Sequence, residues 1–343
     1  MTILEKTLRS EKTNKVPIWF MRQAGRYLPE YRELKKERDF MELVMDSDAA
    51  AEITLQPVKR LDVDAAIIFS DILVILHALD MGVSFANGLP ELSNVVNNEK
   101  DVDRLISKYN ADDLAERLQF YSKALKLVRA DLSPEKTLIG FAAAPFTLAS
   151  YMIEGKTSKT HAKTRAWMYG NPRSFAKLMD FIVKSTIDYL QIQIRAGANV
   201  IQLFDSWGDA MATDVYGKSL RPYIEKISQA VSREVPVIYF CRGASIHREA
   251  LGGLYNQGVS ALSLDWRMPI DFYGESPVQG NLDPAALLSD PETVARMTKE
   301  LLNARGRHPG YIFNLGHGIY PETPMENVMA MLETVKNFKP EYK

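Results

Sequence analysis

Two arginines near the amino end of the sequence, Arg22 and Arg26, stand four residues apart with a glycine between them. An arginine side chain keeps its charge and presents a rigid fork of N–H donors that matches a carboxylate or a phosphate. Gly25 allows a ligand to approach the backbone, so the N–H groups of Gln23 and Ala24 are further candidates for binding an anion. The segment therefore predicts an anion-binding site. The alternative, two arginines on a helix surface that form ordinary salt bridges, fits these residues equally well.

The elements that would position this segment are short apolar runs, often β-branched or aromatic, that recur along the whole chain. Eight runs are predicted to be strands, at residues 18–20, 65–69, 137–141, 200–204, 235–240, 261–264, 277–279 and 311–315. A run that is apolar at nearly every position is typical of a parallel strand buried on both faces.

Segments with helical periodicity lie between these runs, for example at residues 112–129, 172–195 and 291–302. The last is preceded by Asp290 as the N-cap and begins with Pro291 at the first helical position. Alternation of strands and helices predicts a parallel sheet, and eight repeats predict one α/β domain over residues 1–343, a (β/α)8 TIM barrel. The interval 71–136 is long and must carry extra helices or strands.

In a barrel of this kind the active site lies at the carboxyl ends of the strands. The polar residues that follow the runs should therefore meet at one mouth; they are Arg22, Arg26, Asp71, Thr147, Tyr151, Asp205, Ser206, Gln279, Asn281, Asn314 and His317. The main candidates also have ordinary structural interpretations. Asp71 suits the N-cap of a following helix, Tyr151 suits a core, and Ser206 suits a solvent-facing position.

The composition excludes several classes of function. The formal net charge of −1 gives no overall field that would attract nucleic acid or an anionic membrane. The one cysteine, Cys241, excludes an intrachain disulfide and a zinc site of several cysteines. The chain has neither a secretory signal, nor an apolar run of membrane-spanning length, nor the GxGxxG and GxxxxGK[ST] nucleotide motifs. A cytoplasmic location is expected.

Seven segments in series resemble uroporphyrinogen decarboxylase: MRQAGRYLPEYR, FSDIL, GFAAAPFTLASYMIEG, QLFDSW, ALSLDW, QGNLDP and FNLGHGIYPETP. The resemblance covers almost the whole chain in order. It implies a distorted (β/α)8 barrel, a homodimer, and the stepwise decarboxylation of the four acetate arms of uroporphyrinogen to methyl groups, giving coproporphyrinogen in tetrapyrrole biosynthesis. It implies no cofactor and no metal.

The resemblance also assigns roles to particular residues. Asp71 would face the pyrrole N–H groups and act in catalysis. The expected substrate contacts are Arg22, Gln23, Ala24, Gly25, Arg26, Asp71, Tyr151, Ser206 and His317. Phe141 and Phe204 would line an apolar wall, or belong to the ordinary core. Small departures from the family pattern fall at Ala143–Phe146, at Ser206 and near Tyr320, and each is conservative in character.

Two other functions must be weighed against this one. A methyltransferase of the same superfamily would need a zinc site built from histidine and cysteine, and this sequence has neither a His-x-Cys pair nor a second cysteine. A non-catalytic tetrapyrrole carrier would keep the arginines but would have no need of Asp71.

Overall fold

The computed structural model describes residues 1–85 and 88–342. Its strands are β1 (Ala65–Ile67), β2 (Val83–Ser84), β3 (Glu91–Leu92), β4 (Thr137–Ala143), β5 (Val200–Asp205), β6 (Val237–Cys241), β7 (Ala261–Ser263), β8 (Val278–Leu282) and β9 (Tyr311–Leu315). Within the described part of the chain, a parallel sheet of seven strands runs in the order β1-β4-β5-β6-β7-β8-β9. All seven are buried along their length apart from Phe204 of β5, as the apolar runs predicted.

The segment around Ile18 closes the ring between β9 and β1, but as a single bridge and not as the predicted strand. Ile18 pairs in parallel with Phe313 of β9, and the Phe313 N–H donates to the Pro17 carbonyl over 2.9 Å. On the other side, the Asp64 N–H donates to the Ile18 carbonyl over 2.8 Å. The Ile18 N–H is taken by the Asp64 carboxylate at 2.9 Å, so a side chain replaces part of the backbone ladder. The (β/α)8 prediction is confirmed, and its distortion lies at the first position.

The α-helices outside the barrel strands have these bounds: α1 Ile3–Leu8, α2 Pro29–Lys35, α3 Phe40–Met45, α4 Ser47–Leu61, α5 Val74–Ala78, α6 Glu99–Lys108, α7 Ala111–Arg117, α8 Gln119–Asp131, α9 Pro145–Glu154, α10 Ala162–Gly170, α11 Pro172–Arg195, α12 Thr213–Val215, α13 Arg221–Val231, α14 Arg248–Gly252, α15 Pro291–Arg305 and α16 Met325–Asn337. In residues 1–85 and 88–342, none of the helices is long and apolar enough to cross a membrane.

The predicted helices are largely confirmed. The structure has α11 with the predicted bounds, and α15 begins where expected, with the Asp290 side chain accepting from the Thr293 N–H. The prediction of one helix over residues 112–129 was wrong, because the chain leaves the helical conformation at the buried Leu118 and forms α7 and α8. The long interval after β1 carries α5, the antiparallel β2–β3 pair and α6 to α8, as its length required.

A polar layer inside the barrel accounts for several residues that were expected at the mouth. Gln279 lies within β8, fully buried, where it accepts from the Trp19 indole at 2.8 Å and donates to Ser263 at 2.9 Å and to Gln202 at 3.3 Å. Buried polar groups need partners, and here side chains from four positions of the barrel bond to one another, although the amide nitrogen of Gln202 has no partner in the described part of the chain.

Asn281 and Asn314 were also expected at the mouth, and both lie inside strands instead. The Asn281 amide donates to two carbonyls, those of Asp265 and Met268, at 2.8 and 2.6 Å. Asn314 accepts from the Met21 N–H at 3.2 Å and thereby fixes the start of the loop that carries Arg22. The two amides thus bind backbone groups of the loops at the mouth from inside the barrel.

Candidate functional site

The loop after Ile18 presents Arg22 and Arg26 to solvent at the carboxyl end of the barrel. Residues 21–28 form turns, and α2 begins only at Pro29, so the interpretation as two arginines on a helix was wrong. Neither guanidinium has a carboxylate partner within residues 1–85 and 88–342. Arg22 has φ of +64°, in the left-handed region that non-glycine residues seldom adopt. Such local strain is typical of a functional segment, where the surroundings hold it in place.

Two glycines leave the space that Arg22 occupies. A Cβ added to Gly318 would lie 2.5 Å from Arg22 Cδ and 3.0 Å from its Nε. A Cβ added to Gly25 would lie 2.9 Å from the Arg22 carbonyl oxygen. Both distances are shorter than ordinary Cβ contacts, so Arg22 occupies space that only glycine leaves open at these two positions.

The backbone N–H groups of this loop differ in whether they have an acceptor within the described part of the chain. Gln23 is fully buried; its side chain donates to the Ala65 carbonyl at 2.8 Å, and its N–H donates to the Phe20 carbonyl at 3.1 Å. The Gln23 N–H is therefore already donated within the protein, and a ligand contact by Gln23 stays a prediction. The N–H groups of Ala24, Gly25 and Arg26 have no acceptor in the described part of the chain and remain able to bind an anion.

Asp71 follows β1, where the chain has left the sheet. The Phe69 N–H donates to the Thr54 hydroxyl of α4 at 2.8 Å, and this contact turns the chain toward the mouth. One carboxylate oxygen of Asp71 accepts from the Leu73 N–H at 2.8 Å, and the other has no partner among the described residues. Asp71 therefore caps the turn that precedes α5 and is not the N-cap of the helix, which is Leu73. This capping of the turn is compatible with ligand binding, since each uses a different oxygen.

Burial raises the pKa of the Asp71 carboxyl to about 6. The Leu73 N–H and the Arg22 guanidinium lower this pKa, but by less than burial raises it. A half-buried carboxyl with so few compensating contacts is costly to ionise. A raised pKa of this kind, next to unpaired cations in a mouth, is a mark of a functional carboxyl.

His317 lies half-buried between Gly316 and Gly318 after β9. Its ring meets the Phe240 ring edge-on at 5.9 Å between centroids. Burial and the nearby guanidiniums, first that of Arg22, lower the pKa of His317 to about 4, so the ring is neutral near pH 7. A neutral ring has one donor and one acceptor nitrogen, which suits a contact with a carboxylate or a pyrrole N–H.

Tyr151 and Ser206 complete the predicted set. Tyr151 lies on α9 and is 6% exposed, with its ring 6.0 Å from that of Trp207. Burial raises the pKa of Tyr151; the charge of Asp71 raises it further, and the charges of Arg22 and Arg242 lower it. Ser206 is half-buried directly after β5. The predicted site residues thus come from five separate stretches of the chain.

Aromatic side chains form one side of this mouth. The rings of Phe141 and Phe204 meet edge-on at 5.7 Å, and Phe204 meets Phe240 at 6.0 Å. Phe240 in turn contacts His317, so the row crosses from β4 to the loop after β9. Phe204 is only partly buried and is thus available to a ligand, whereas Phe141 is 6% exposed and belongs mostly to the core.

Two arginines at the mouth were missed by the sequence analysis, Arg242 after β6 and Arg267 after β7. Each stacks on a tryptophan, Trp207 at 4.6 Å and Trp266 at 4.1 Å. The available signal was a basic residue shortly after each of the predicted strands 235–240 and 261–264, where the active site of a barrel is expected.

Thr147 and Asp205 were expected at the mouth but belong to a buried network behind it. Asp205 is 1% exposed and accepts from Thr147 at 3.0 Å and from Tyr239 at 2.8 Å. Burial raises its pKa, since a charged carboxylate is poorly solvated there.

Cys241 lies beside this network, fully buried, and burial raises the pKa of its thiol as well. In the described part of the chain, no cluster of three or more histidine, cysteine, aspartate or glutamate side chains is placed to hold a metal ion.

The fold defines a (β/α)8-barrel protein, and the charge and aromatic side chains at its mouth would suit an anionic, partly apolar small molecule. The sequence comparisons then give the family: the profile described as uroporphyrinogen decarboxylase (URO-D) matches residues 2–338. The chain is 40% identical to the uroporphyrinogen decarboxylase of Alkalilimnicola ehrlichii, over 99% of this chain and 94% of that protein. It is 42% identical to that of Streptomyces avermitilis, over 96% and 92%. The chain belongs to the uroporphyrinogen decarboxylase family.

Solved structures agree on the architecture. A methyltransferase from Methanosarcina mazei superposes with a TM-score of 0.81 at 20% identity, covering 98% of this chain and 97% of that one. A B12-independent methionine synthase from Shewanella superposes with a TM-score of 0.58 at 12% identity, covering 94% of each chain. At these identities the likeness concerns the fold alone.

Proposed function

We propose that this protein is a carboxy-lyase that decarboxylates the acetate arms of uroporphyrinogen. The observation that carries the proposal is the isolated carboxyl of Asp71, half-buried, with a pKa raised to about 6, in the same mouth as two arginines that have no carboxylate partner in the described residues. Family membership supplies the substrate, and this arrangement supplies a means of acting on it.

The chemistry needs an electron sink, because direct loss of CO₂ from an acetate arm would leave an unstabilised carbanion. A pyrrole serves as its own sink: protonation of a ring carbon gives a cation that accepts the electron pair of the breaking C–C bond. The free oxygen of Asp71 can accept pyrrole N–H groups and stabilise that cation more strongly than the neutral ring. Loss of CO₂ leaves an exocyclic methylene, which takes up a proton to become the methyl group, while the ring carbon loses the proton that it gained. Each cycle therefore consumes one proton in net terms and releases one CO₂.

The remaining groups hold the substrate. Arg22, Arg26 and the free N–H groups of Ala24 and Gly25 supply donors for acetate and propionate carboxylates. The neutral His317 ring can bind a further polar group, and the partly exposed Phe204 offers an apolar face to the pyrroles. Tyr151 and Ser206 offer hydroxyls as further donors or acceptors for the substrate. These contacts position the reacting acetate, which is the larger part of a cofactor-free mechanism.

We further propose that the reaction requires neither a metal nor an organic cofactor, and that residues 1–343 act as one domain in a cytoplasmic homodimer. The family resemblance supports each of these. Sedimentation equilibrium over a range of protein concentrations tests the dimer.

The test of the function is turnover of uroporphyrinogen by purified, chelator-treated protein under anaerobic conditions, with products separated by carboxylate number. Products with seven down to four carboxylates are expected without any addition. A strict requirement for zinc, pyridoxal phosphate or a corrinoid would overturn the cofactor-free mechanism. Tight binding without turnover would instead favour a tetrapyrrole carrier.

A further inference from the structure

The order of the strands places the loops after β6 and β7 across the mouth from the loops that carry Arg22 and Asp71. In the ring formed by Ile18 and the seven parallel strands, β6 lies four positions from Ile18, and β7 lies four positions from β1. Four positions in a ring of eight is the opposite side. Arg242 follows β6 and Arg267 lies after β7, so these two arginines face the loops of Arg22 and Asp71.

Arg267 is the more open of the two. Its guanidinium stacks on Trp266 at 4.1 Å, and the Trp266 ring is 6.4 Å from the ring of His317. One guanidinium nitrogen donates to Asp265 at 2.8 Å, and no other acceptor for the group occurs in residues 1–85 and 88–342. Its side chain is 46% exposed. Most of its N–H groups are therefore free to bind a carboxylate.

Arg242 is held by a bidentate ion pair. Its Nε and one terminal nitrogen each donate to Asp209 at 2.9 Å, which leaves the other terminal nitrogen without an acceptor in the described part of the chain. Its guanidinium also stacks on Trp207, whose ring contacts Tyr151 of the predicted site. The group is thus aimed at the mouth with one donating edge open, and its charge is partly offset by Asp209.

A single buried carboxylate ties these two loops together. Asp265, which is fully buried, accepts from the Gly243 N–H at 2.6 Å as well as from Arg267. Gly243 directly follows Arg242 in the chain. Both arginines are therefore set on a rigid support, so that a ligand need not order them on binding. Both guanidiniums also help to lower the pKa of His317, after burial and Arg22, in keeping with the contact between Trp266 and the His317 ring.

We propose that Arg242 and Arg267, called here the far wall, bind ligand carboxylates on the side of the mouth opposite Arg22 and set a preference for ligands with more carboxylates. The inference rests on the proposed function, since it concerns how that site reads its substrate. A tetrapyrrole carries carboxylates around its whole rim, and arginines on one side reach only part of the rim. Each decarboxylation removes one carboxylate, so the far wall holds an octacarboxylate more strongly than the later intermediates.

The first test is the equilibrium binding of two stable oxidised porphyrins, uroporphyrin with eight carboxylates and coproporphyrin with four, measured by fluorescence titration. Arg267→Gln should weaken uroporphyrin binding about tenfold and coproporphyrin binding much less, because loss of a charge-assisted contact is of that order at a half-exposed site. Arg267→Lys, which keeps the charge and the partner of the buried Asp265, should lie between. Arg296→Gln, which removes an exposed arginine paired with Glu300 on α15, is the charge-matched control and should change neither affinity.

The second test uses a substitution that should strengthen uroporphyrin binding. Asp209→Asn removes the negative charge that offsets Arg242, so it should tighten uroporphyrin binding severalfold at low salt and lose that gain at high salt. Asp180→Asn, which alters an exposed pair with Lys226, is the matched control. A purely structural role for the Asp209–Arg242 pair would produce weaker binding or none, never tighter binding.

Failure of this inference is distinguishable from failure of the proposed function. If wild-type protein decarboxylates uroporphyrinogen and the far-wall variants bind both porphyrins like wild type, the inference falls and the function stands. If wild-type protein shows no turnover but the variants lose the uroporphyrin preference as predicted, the far wall stands and the decarboxylase proposal falls. Equal weakening of both porphyrins by Arg267→Gln also overturns the inference.

Discussion

Replacing Asp71 by asparagine separates its two structural roles. One oxygen of the carboxylate accepts from the Leu73 N–H at 2.8 Å, and an asparagine oxygen can make the same contact. The other oxygen, which has no partner among the described residues, becomes an uncharged amide. The substitution therefore keeps the turn at the start of α5 and removes the charge that would stabilise a protonated pyrrole.

The expected effect on stability follows from the pKa of the carboxyl. Its folded-state pKa of about 6 exceeds the ordinary value of 3.8, so the folded protein binds the proton more tightly than the unfolded chain does. This contribution is fully present below pH 3.8 and is lost as the pH rises through 6. At pH 7 an ionised Asp71 thus costs about 3 kcal/mol relative to its protonated form. Asp71→Asn should unfold at the same temperature as wild type or higher.

The expected effect on catalysis has the opposite direction. Loss of one preorganised electrostatic group typically lowers kcat about 10²- to 10³-fold. The pH profile adds a second signature: if the ionised form is required, wild-type kcat/KM falls below pH 6, the value to which burial raises the Asp71 pKa, and the asparagine variant lacks this limb. Asp71→Glu, which displaces the charge by about one methylene, should also lose about 10²-fold.

The assay is steady-state decarboxylation from pH 5 to 8, alongside thermal unfolding of each variant. Near-normal turnover by Asp71→Asn would refute the electrostatic role. A variant that loses activity only because it no longer folds would show that capping is the main role of Asp71. If kcat/KM of wild type instead falls above pH 6, the protonated carboxyl is the active form, and Asp71 serves as the proton donor.

Four further outcomes follow from the geometry. Gly318→Ala places a Cβ 2.5 Å from Arg22 Cδ, so KM should rise about tenfold or more with little change in unfolding temperature, measured by initial rates and calorimetry. Arg26→Ala should raise KM by a factor that corresponds to about 1.5–3 kcal/mol, and an unchanged KM with a much lower kcat would place the residue in the chemical step. Cys241→Ser should retain most activity and lose about 1–2 kcal/mol of stability, because a hydroxyl replaces a buried thiol; loss of turnover in a folded, substrate-binding variant would contradict this. His317, with its pKa lowered from 6.5 to about 4, contributes stability that is lost as the pH falls from 6.5 toward 4. Replacing His317 by glutamine should therefore remove about 2 kcal/mol of the destabilisation that wild type suffers between pH 7 and pH 5, as read by urea unfolding.

The barrel could be predicted because its strands are buried on both faces and leave continuous apolar runs. Seven of the eight runs became strands of the parallel sheet. The exception, around Ile18, has the same apolar character, yet the Asp64 side chain takes its N–H and limits it to one bridge. A local pattern reports that a segment is buried, and it does not report which groups its backbone will pair with.

The site was predictable where a polar residue directly follows a strand. That rule, applied to the first residues after each predicted strand, placed Arg22, Asp71, Ser206 and His317 at the carboxyl ends of the strands, and their roles there stay predictions. It failed for Gln279 because β8 continues to Leu282, so the residue faces the barrel interior and pairs with Trp19. Strand ends depend on the neighbouring strands, which lie far away in the sequence.

The sequence by itself determined the order of the strands, the family and the chemical types available at the mouth. Only the tertiary structure decided what those groups can do. The pKa of Asp71 is raised because packing from distant segments removes water from it. The Arg22 side chain packs against Gly318, which lies nearly three hundred residues away in the sequence. The pairing of Arg242 with Asp209 and of Arg267 with Asp265 likewise depends on loops that follow different strands. Burial and charge proximity are properties of the folded chain, and they convert a set of residues into a site.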